Sequence, residues 1–226
     1  MILAIVGIMS LPDFWLRRPA MPASAALRER FDATLDEALA AGPDRPFDYR
    51  LDAPKWQFLC HAADRADFVL HGSGDSGITE FVPRQPPDIT DFGSRHAVFA
   101  AADGIWPMFY AILDRDSLPV SMCNACVRAG GEARYHFSIS APALARRPWR
   151  TGTVYLLPSA TFELEPADGE IRPTQAASPV PVRPVAKLTV RPEDFPFLHD
   201  VHGHQDEELL ARAAAAPDGF PWHEPG

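Results

Sequence analysis

The chain has 226 residues, of which 46% are hydrophobic and 23% charged, a composition that is typical of globular proteins and excludes a disordered chain. Its net charge of −9 argues against a broad surface for nucleic acid or for an anionic membrane, because phosphate binding needs clustered Lys and Arg. The three cysteines cannot all pair within the chain, so a reducing compartment fits, and we expect a cytoplasmic protein without a membrane partner.

The first part of the chain, residues 22–65, carries helical patterns. Before it, the apolar run of residues 1–9 is too short to span a bilayer and predicts a buried first strand. Apolar residues recur at four-residue spacing over residues 22–41, which predicts a helix that stops at Gly42. A second helix is expected after Asp52.

The middle of the chain alternates strands with a loop and a helix. Residues 67–71 form a short β-rich run that predicts a strand. The stretch 74–96 is rich in Gly, Pro and Asp and predicts a long loop, which in a compact domain is more often a binding or lid segment than filler. A strand at 97–100 and a helix at 105–112 are expected to follow.

The second half changes to strand patterns. Runs rich in β-branched and aromatic residues lie between Pro and Gly turns, and a short helix follows them. The strands are expected at 134–139, 153–157, 161–164 and 185–190, and the helix at 206–215. Helices early and strands late predict an α+β fold with an antiparallel or mixed sheet. We expect one compact domain over residues 1–226, with its strand-rich half at 130–200.

The first candidate site is the triplet His71-Gly72-Ser73, which follows the predicted strand 67–71. A glycine lets a flat ligand approach the backbone closely, and the neighbouring imidazole and hydroxyl can form hydrogen bonds with an amide or a ribose. A tight turn with a satisfied polar side chain has the same pattern. The triplet alone does not distinguish a ligand site from a turn, so its interpretation depends on the neighbouring sequence.

These surroundings resemble the nicotinamide-binding half of ADP-ribosyltransferases, in the group of diphtheria toxin and the poly-ADP-ribose polymerases. The resemblance covers about residues 66–113: a strand that ends in His-Gly-Ser, a loop, a strand with a Phe-Ala pair and an aromatic helix. It implies that NAD is bound as a substrate. The residues expected to contact the nicotinamide, its ribose or a phosphate are His71, Gly72, Ser73 and Arg84.

The same group stacks an aromatic residue on the nicotinamide ring, with ten residues between two aromatic positions. Two registers fit this spacing, Val98 with Phe109 and Phe99 with Tyr110. Neither register supplies a pair of tyrosines. We expect Phe99 or Tyr110 to stack on the ring.

A glutamate on a late strand completes the site in that group, where it holds a ribose hydroxyl and stabilises positive charge in the transition state. The corresponding region here, residues 173–184, contains no acid, and Gln175 is its one side chain with a suitable carbonyl. Glu163 and Glu165, on or after the preceding strand, are the alternatives, and both patterns also fit solvated acids. Gln175 and Glu163 are therefore the catalytic candidates.

Two functions follow from these patterns. The resemblance implies a protein that binds NAD and transfers ADP-ribose to an unknown acceptor. The alternative is a non-enzymatic interaction protein, such as an immunity or accessory factor, with a degenerate nucleotide pocket. In both cases the expected partners are a small nucleotide and a protein that is the acceptor or a binding partner. The acidic surface of the chain would suit a basic protein.

Two further motifs contain metal-ligand residue types. Cys123-Asn-Ala-Cys126 has the spacing of half a zinc site, but no second Cys pair exists, and two small cysteines on a buried turn are the favoured interpretation. His202-x-His204-x-Asp206 resembles part of the metal motif of metallo-β-lactamase-like hydrolases. A polar helix entrance, with Asp206 as its N-cap and His199 nearby, is the favoured interpretation. We predict no metal site.

Overall fold

The structure, a computed structural model, describes residues 11–21, 24–88, 90–117, 119–216 and 220–222. The strand predicted for residues 1–9 lies outside these ranges. The helices of the described residues are α1 (Ala25–Ala41), α2 (Lys55–Asp64), α3 (Trp106–Ile112), α4 (Ala141–Ala145) and α5 (Asp206–Ala215). All of the predicted helices are confirmed, and α4 was not predicted.

Eleven strands accompany the helices in the described part of the chain. They are β1 (Leu16–Arg17), β2 (Phe68–Ser73), β3 (Val98–Ala101), β4 (Met122–Ala129), β5 (Glu132–Ser140), β6 (Gly152–Pro158), β7 (Glu163–Leu164), β8 (Arg172–Pro173), β9 (Gln175–Ser178), β10 (Ala186–Val190) and β11 (His202–His204). The predicted strands at 134–139, 153–157 and 185–190 are confirmed. The run at 161–164 is shorter than predicted, because residues 159–161 form a 3₁₀ turn.

The strands form two sheets. One has the order β1-β5-β4-β8, with β11 added to β5, and the other has the order β10-β6-β2-β3-β9-β7. All pairs are antiparallel except that of β11 with β5. The mixed α+β class and the single compact domain agree with the prediction.

Helix α1 shows how local sequence sets an element's limits. The Ser24 hydroxyl accepts a hydrogen bond from the amide of Leu27, which fixes the start of the helix. Gly42 ends it with a φ of 73°, and its amide donates to the Ala38 and Leu39 carbonyls. Phe31, one of the apolar residues that recur at four-residue spacing along this helix, is buried, as the spacing predicted.

Helix α3 lies between the two sheets and carries part of the candidate site. On one side, the Pro107 carbonyl lies against the backbone of Gly72 in β2. On the other, the Phe109 ring contacts the Phe137 ring of β5, with centroids 4.9 Å apart. The position of α3 therefore depends on contacts with both sheets.

A fully buried carboxylate, that of Asp103, fixes the start of α3. Its Oδ1 accepts hydrogen bonds from the amides of Ile105 and Trp106, each at 2.8 Å. Its Oδ2 accepts from Arg18 Nη2 at 2.7 Å and from the Tyr135 hydroxyl at 2.8 Å. Because both oxygens are satisfied, the buried charge is compensated and the first turn of α3 is capped.

Candidate functional site

A cleft opens in the larger sheet at the point where β2 and β3 separate. Strand β2 pairs with β6 at all of its residues, but it pairs with β3 only at Leu70 and Ala101. Beyond this pair, the two strands line a cavity of about 520 Å³, together with the start of α3 and the loop before β3. This volume is in the range of small-molecule sites.

Seven of the eight predicted site residues line this one cavity. They are His71, Gly72, Ser73, Arg84, Phe99, Tyr110 and Gln175. Gln175 is distant in sequence and reaches the cavity through strand pairing, since it lies opposite Ala101 of β3. Predicted site residues that are far apart in the sequence, such as His71 and Gln175, therefore line the same cavity.

Glu163, the eighth residue, lies elsewhere. Its side chain is 65% exposed, and its carboxylate forms an ion pair with Arg95 Nη2 at 3.2 Å. It pairs with Ala177, two residues beyond Gln175 along β9, and is not among the cavity-lining residues. The structure therefore gives no direct contact between Glu163 and the cavity.

His71 is held in one defined tautomer. Its Nδ1 lies 2.6 Å from the carbonyl oxygen of Phe99, which can only accept, so Nδ1 carries the proton and Nε2 is an acceptor in the neutral ring. Burial lowers the pKa of His71 below its ordinary value of 6.5. The hydrogen bond to Phe99 opposes this shift, whereas the positive charge of Arg115 adds to it. The ring also packs on Phe81, with centroids 4.5 Å apart. The site thus contains a neutral imidazole with a fixed acceptor.

Gly72 serves the packing of α3. A Cβ added at this position would lie 1.8 Å from the Pro107 carbonyl oxygen and 2.9 Å from the amide nitrogen of Ala111. The predicted reason for this glycine was the close approach of a ligand. The structure shows instead that the backbone of α3 fills the space that a side chain would need.

The aromatic wall comes from Phe99 and Tyr110, which both line the cavity. Phe109, the helix residue of the other register, is fully buried in the core. Burial raises the pKa of Tyr110, and a hydrogen bond with the Asn124 side chain opposes this shift. The guanidinium of Arg115 lies 5.7 Å from the centre of the Tyr110 ring. Sequence reasoning missed Arg115, because no motif marks the residues after α3.

The described part of the loop 74–96 is attached to the sheet at several points. Arg84 forms a two-residue bridge with Ala97, with amide-to-carbonyl distances of 3.0 and 3.1 Å. Phe81 bridges in the same way to Val182. The Tyr155 hydroxyl donates to the Asp75 carbonyl at 2.7 Å. The loop is therefore a fixed wall of the cleft, and it brings Arg84 to the cavity.

Glu165 lies opposite Gln175, a cavity-lining residue, on the neighbouring chain segment. Its amide donates to the Gln175 carbonyl at 2.9 Å, so the two residues face each other across neighbouring chain segments. Burial raises the pKa of Glu165 to about 7, and the negative charge of Asp88, a cavity-lining residue, adds to this shift. Glu165 is thus the alternative acid that the fold brings nearest to Gln175.

The raised pKa of Glu165 has a consequence for stability. Because the folded state holds this proton above the ordinary value of 4.5, ionisation destabilises the fold as the pH rises from 4.5 through about 7. We therefore expect the free energy of unfolding of Glu165→Gln, relative to that of the native protein, to be higher at pH 8 than at pH 5. Urea denaturation at both pH values measures this difference, and Glu163→Gln is the matched control. An equal change in both variants would contradict the assignment to Glu165.

The two cysteines lie on strand β4, and the predicted buried turn is wrong. Residues three apart on a strand point to opposite faces, so the two thiols do not converge on one metal. Cys123 Sγ donates to the Pro221 carbonyl, and burial raises the pKa of Cys123 to about 12. Among the described residues, no group of three His, Cys, Asp or Glu side chains is placed to hold a metal ion.

His204, one of the histidines near the C-terminus, belongs to a structural hydrogen-bond network. His204 is buried on β11, where its Nδ1 lies 2.6 Å from Ser138 Oγ and its Nε2 lies 2.9 Å from Ser121 Oγ. The N-cap of α5 is Gln205, so the prediction of Asp206 in that position is wrong by one residue. His199 is exposed on a 3₁₀ turn. This network depends on the parallel pairing of β11, which no local pattern indicates.

No helix in the ranges that the structure describes is long and apolar enough to cross a membrane. Comparisons of the chain with models of protein families, with curated proteins and with solved structures found no match.

Proposed function

We propose that the cleft between β2 and β3 binds the nicotinamide end of NAD, and that the protein is an ADP-ribosyltransferase-like protein with NAD as its substrate. One observation carries this proposal. Residues chosen from the sequence for a nicotinamide site, at positions from 71 to 175, line a single cavity of ligand size. Sequence neighbours alone would not meet in this way, because Gln175 arrives on a different strand.

The geometry of His71 supports a ribose contact. Its Nδ1 is occupied by the Phe99 carbonyl, which leaves Nε2 as an acceptor for a hydroxyl of the ligand. Ser73 follows on the same strand, and Phe99 and Tyr110 supply aromatic rings in the same cavity. A flat aromatic ligand with a sugar attached matches this combination of groups.

The proposed reaction is a transfer at C1′ of the nicotinamide ribose. The bond between C1′ and the nicotinamide nitrogen breaks, its electron pair leaves with nicotinamide, and an acceptor nucleophile attacks C1′ and loses its proton. Gln175 would hold a ribose hydroxyl. Glu165 lies opposite Gln175, to whose carbonyl its backbone amide donates a hydrogen bond, and it is the carboxyl residue that we propose to support Gln175.

A second function, nucleotide binding without turnover, is favoured by Gln175 itself. An amide can hold a hydroxyl but carries no charge to offset a cationic transition state. NAD hydrolysis and transfer by the native protein and by Gln175→Glu separate the two functions. Activity in either protein supports the transferase, and equal inactivity in both, with NAD bound, supports a binding role.

Ligand binding is tested first by thermal unfolding. A ligand that binds only the folded state raises the unfolding midpoint, with about 2.7 kcal/mol of stabilisation at 100 times its Kd. We expect millimolar NAD and nicotinamide to raise the midpoint of the native protein. His71→Ala should abolish the shift, because it removes the Nε2 acceptor.

The exposed residue His199 provides the matched control for this experiment, since it does not line the cavity. His199→Ala should keep the full shift. The absence of a shift with the native protein, or its persistence in His71→Ala, would contradict the proposed site.

A further inference from the structure

A second group of polar side chains, away from the cleft, has the arrangement of a nucleophile and its base. It consists of Ser121 directly before β4, Ser138 on β5 and His204 on β11. None of the three is among the described residues that line the cavity between β2 and β3. Strand β5 pairs with β4 along one edge and with β11 along the other, so strand pairing brings together side chains from distant parts of the chain.

The imidazole of His204 lies between the two hydroxyls. Its Nδ1 is 2.6 Å from Ser138 Oγ, and its Nε2 is 2.9 Å from Ser121 Oγ. Ser138 is fully buried and the His204 side chain is 1% exposed, whereas Ser121 is partly exposed. The two buried members therefore hold the ring in place, and Ser121 is the hydroxyl that a molecule from solution can reach.

These distances fit a serine that is activated by a base. In such sites the nucleophile and the base lie within about 2.6–3.2 Å of each other, and a third group orients the base. In the neutral tautomer whose Nδ1–H donates to Ser138 Oγ, Nε2 of His204 is an acceptor for the Ser121 hydroxyl. Ser138 is then a positioning residue, and Nε2 can take the proton of Ser121 when its Oγ attacks a substrate.

The carboxylate of Asp206 adds a negative charge at the same point. Its Oδ1 is 2.5 Å from Ser121 Oγ and 3.3 Å from His204 Nε2. It can therefore stabilise the imidazolium that forms when His204 takes a proton. Glu207 and Glu208 are also exposed in this first turn of α5. Three acids beside the hydroxyl disfavour the approach of an anionic substrate.

We propose that Ser121 is the nucleophile of a second, esterase-type site, with His204 as its general base and small uncharged carboxylic esters as its substrates. Ser121 Oγ attacks the acyl carbon and forms an ester with it, while its proton passes to His204 Nε2. The bond between the acyl carbon and the alcohol oxygen breaks, and the alcohol leaves with that proton. Water then attacks the acyl group, and His204 passes a proton from the water to the departing Ser121 Oγ, which releases the carboxylic acid.

A fluorophosphonate probe and p-nitrophenyl acetate test this site on the whole protein. We expect the probe to label the native chain once, at Ser121, and to leave Ser121→Ala unlabelled. Hydrolysis of p-nitrophenyl acetate should fall at least about 100-fold in Ser121→Ala and in His204→Gln, the lower range for a general base. Ser138→Ala should lower kcat and leave KM unchanged, because Ser138 acts through the imidazole and does not touch the ester.

Ser76→Ala is the matched control, because Ser76 is exposed on the loop before β3. It should keep the label and the native rate. Since His204 is buried, the decisive variant is Ser121→Ala, whose folding is checked by its unfolding midpoint. Absence of a label on the native chain, a label at another residue, or equal hydrolysis by the native protein and Ser121→Ala would overturn the esterase site. Ser121→Ala should keep the shift of the midpoint with NAD, so the two proposals succeed or fail separately.

Discussion

Replacing Asp103 by alanine should lower the free energy of unfolding by about 3–5 kcal/mol, the cost of removing one partner from a buried ion pair. Arg18, whose side chain is only 12% exposed, would lose its 2.7 Å contact with the carboxylate. The Tyr135 hydroxyl would lose its acceptor, and the first turn of α3 would lose its cap. Arg18 would keep its bond to Asp64 at 3.0 Å, but the buried amides at the start of α3 would have no acceptor, which costs more than a hydrogen bond itself contributes.

Urea denaturation of Asp103→Ala measures this effect. The free energy of unfolding of Asp103→Asn should lie between those of Asp103→Ala and the native protein. The amide keeps one oxygen that can accept the hydrogen bonds of the cap, but its NH2 group faces other donors in the buried network. Asp36→Ala is the control, since Asp36 is exposed on α1 and should change stability little. If Asp103→Ala cost no more than this control, the buried network would not be what holds α3.

Gly72→Ala should destabilise the fold by about 3 kcal/mol or more, because it forces a methyl group into a filled space. The added Cβ would lie 1.8 Å from the Pro107 carbonyl oxygen and 2.8 Å from its carbonyl carbon. These are backbone atoms, so no side chain can rotate to relieve the contact. Helix α3 would have to move, and Tyr110 would move with it. The variant should therefore lose nicotinamide binding as well as stability.

The control for this substitution is Gly77→Ala on the neighbouring loop. There an added Cβ would approach only the side-chain oxygen of Asp75, at 3.2 Å, and the contact can relax by a small rotation. We expect near-native unfolding and near-native binding of nicotinamide. Equal behaviour of the two variants would show that the approach of α3 to β2 is not the constraint at Gly72.

The sequence predicted the elements whose signals are local. Helix α1 was predicted from its four-residue apolar stripe, because one buried face needs that period. Strand β4 was missed because only Val127 among its residues is β-branched. Its stability comes from pairing with β5 over all eight of its residues, a tertiary contact that overrides propensity.

Site residues that belong to a sequence motif could be predicted, whereas residues that reach the site only through strand pairing or the end of a helix could not. His71 and Tyr110 stand in a recognisable order along the chain. Arg115 and Glu165 carry no motif, and their places follow from the end of α3 and from the hydrogen bond to Gln175. Glu163 and Glu165 have the same local pattern, and only the pairing of β7 with β9 distinguishes them.

The most direct test of the nicotinamide pocket is the nitrogen NMR spectrum of the His71 imidazole, with its signals identified by their loss in His71→Ala. The chain contains eight histidines, so the other seven serve as internal references. On addition of nicotinamide riboside, we expect the Nε2 signal of His71 to shift with saturation while the Nδ1 proton stays bonded to the Phe99 carbonyl. If the His71 signals stayed unchanged while another histidine responded, or if none responded at saturating ligand, the ligand would not occupy the cleft between β2 and β3.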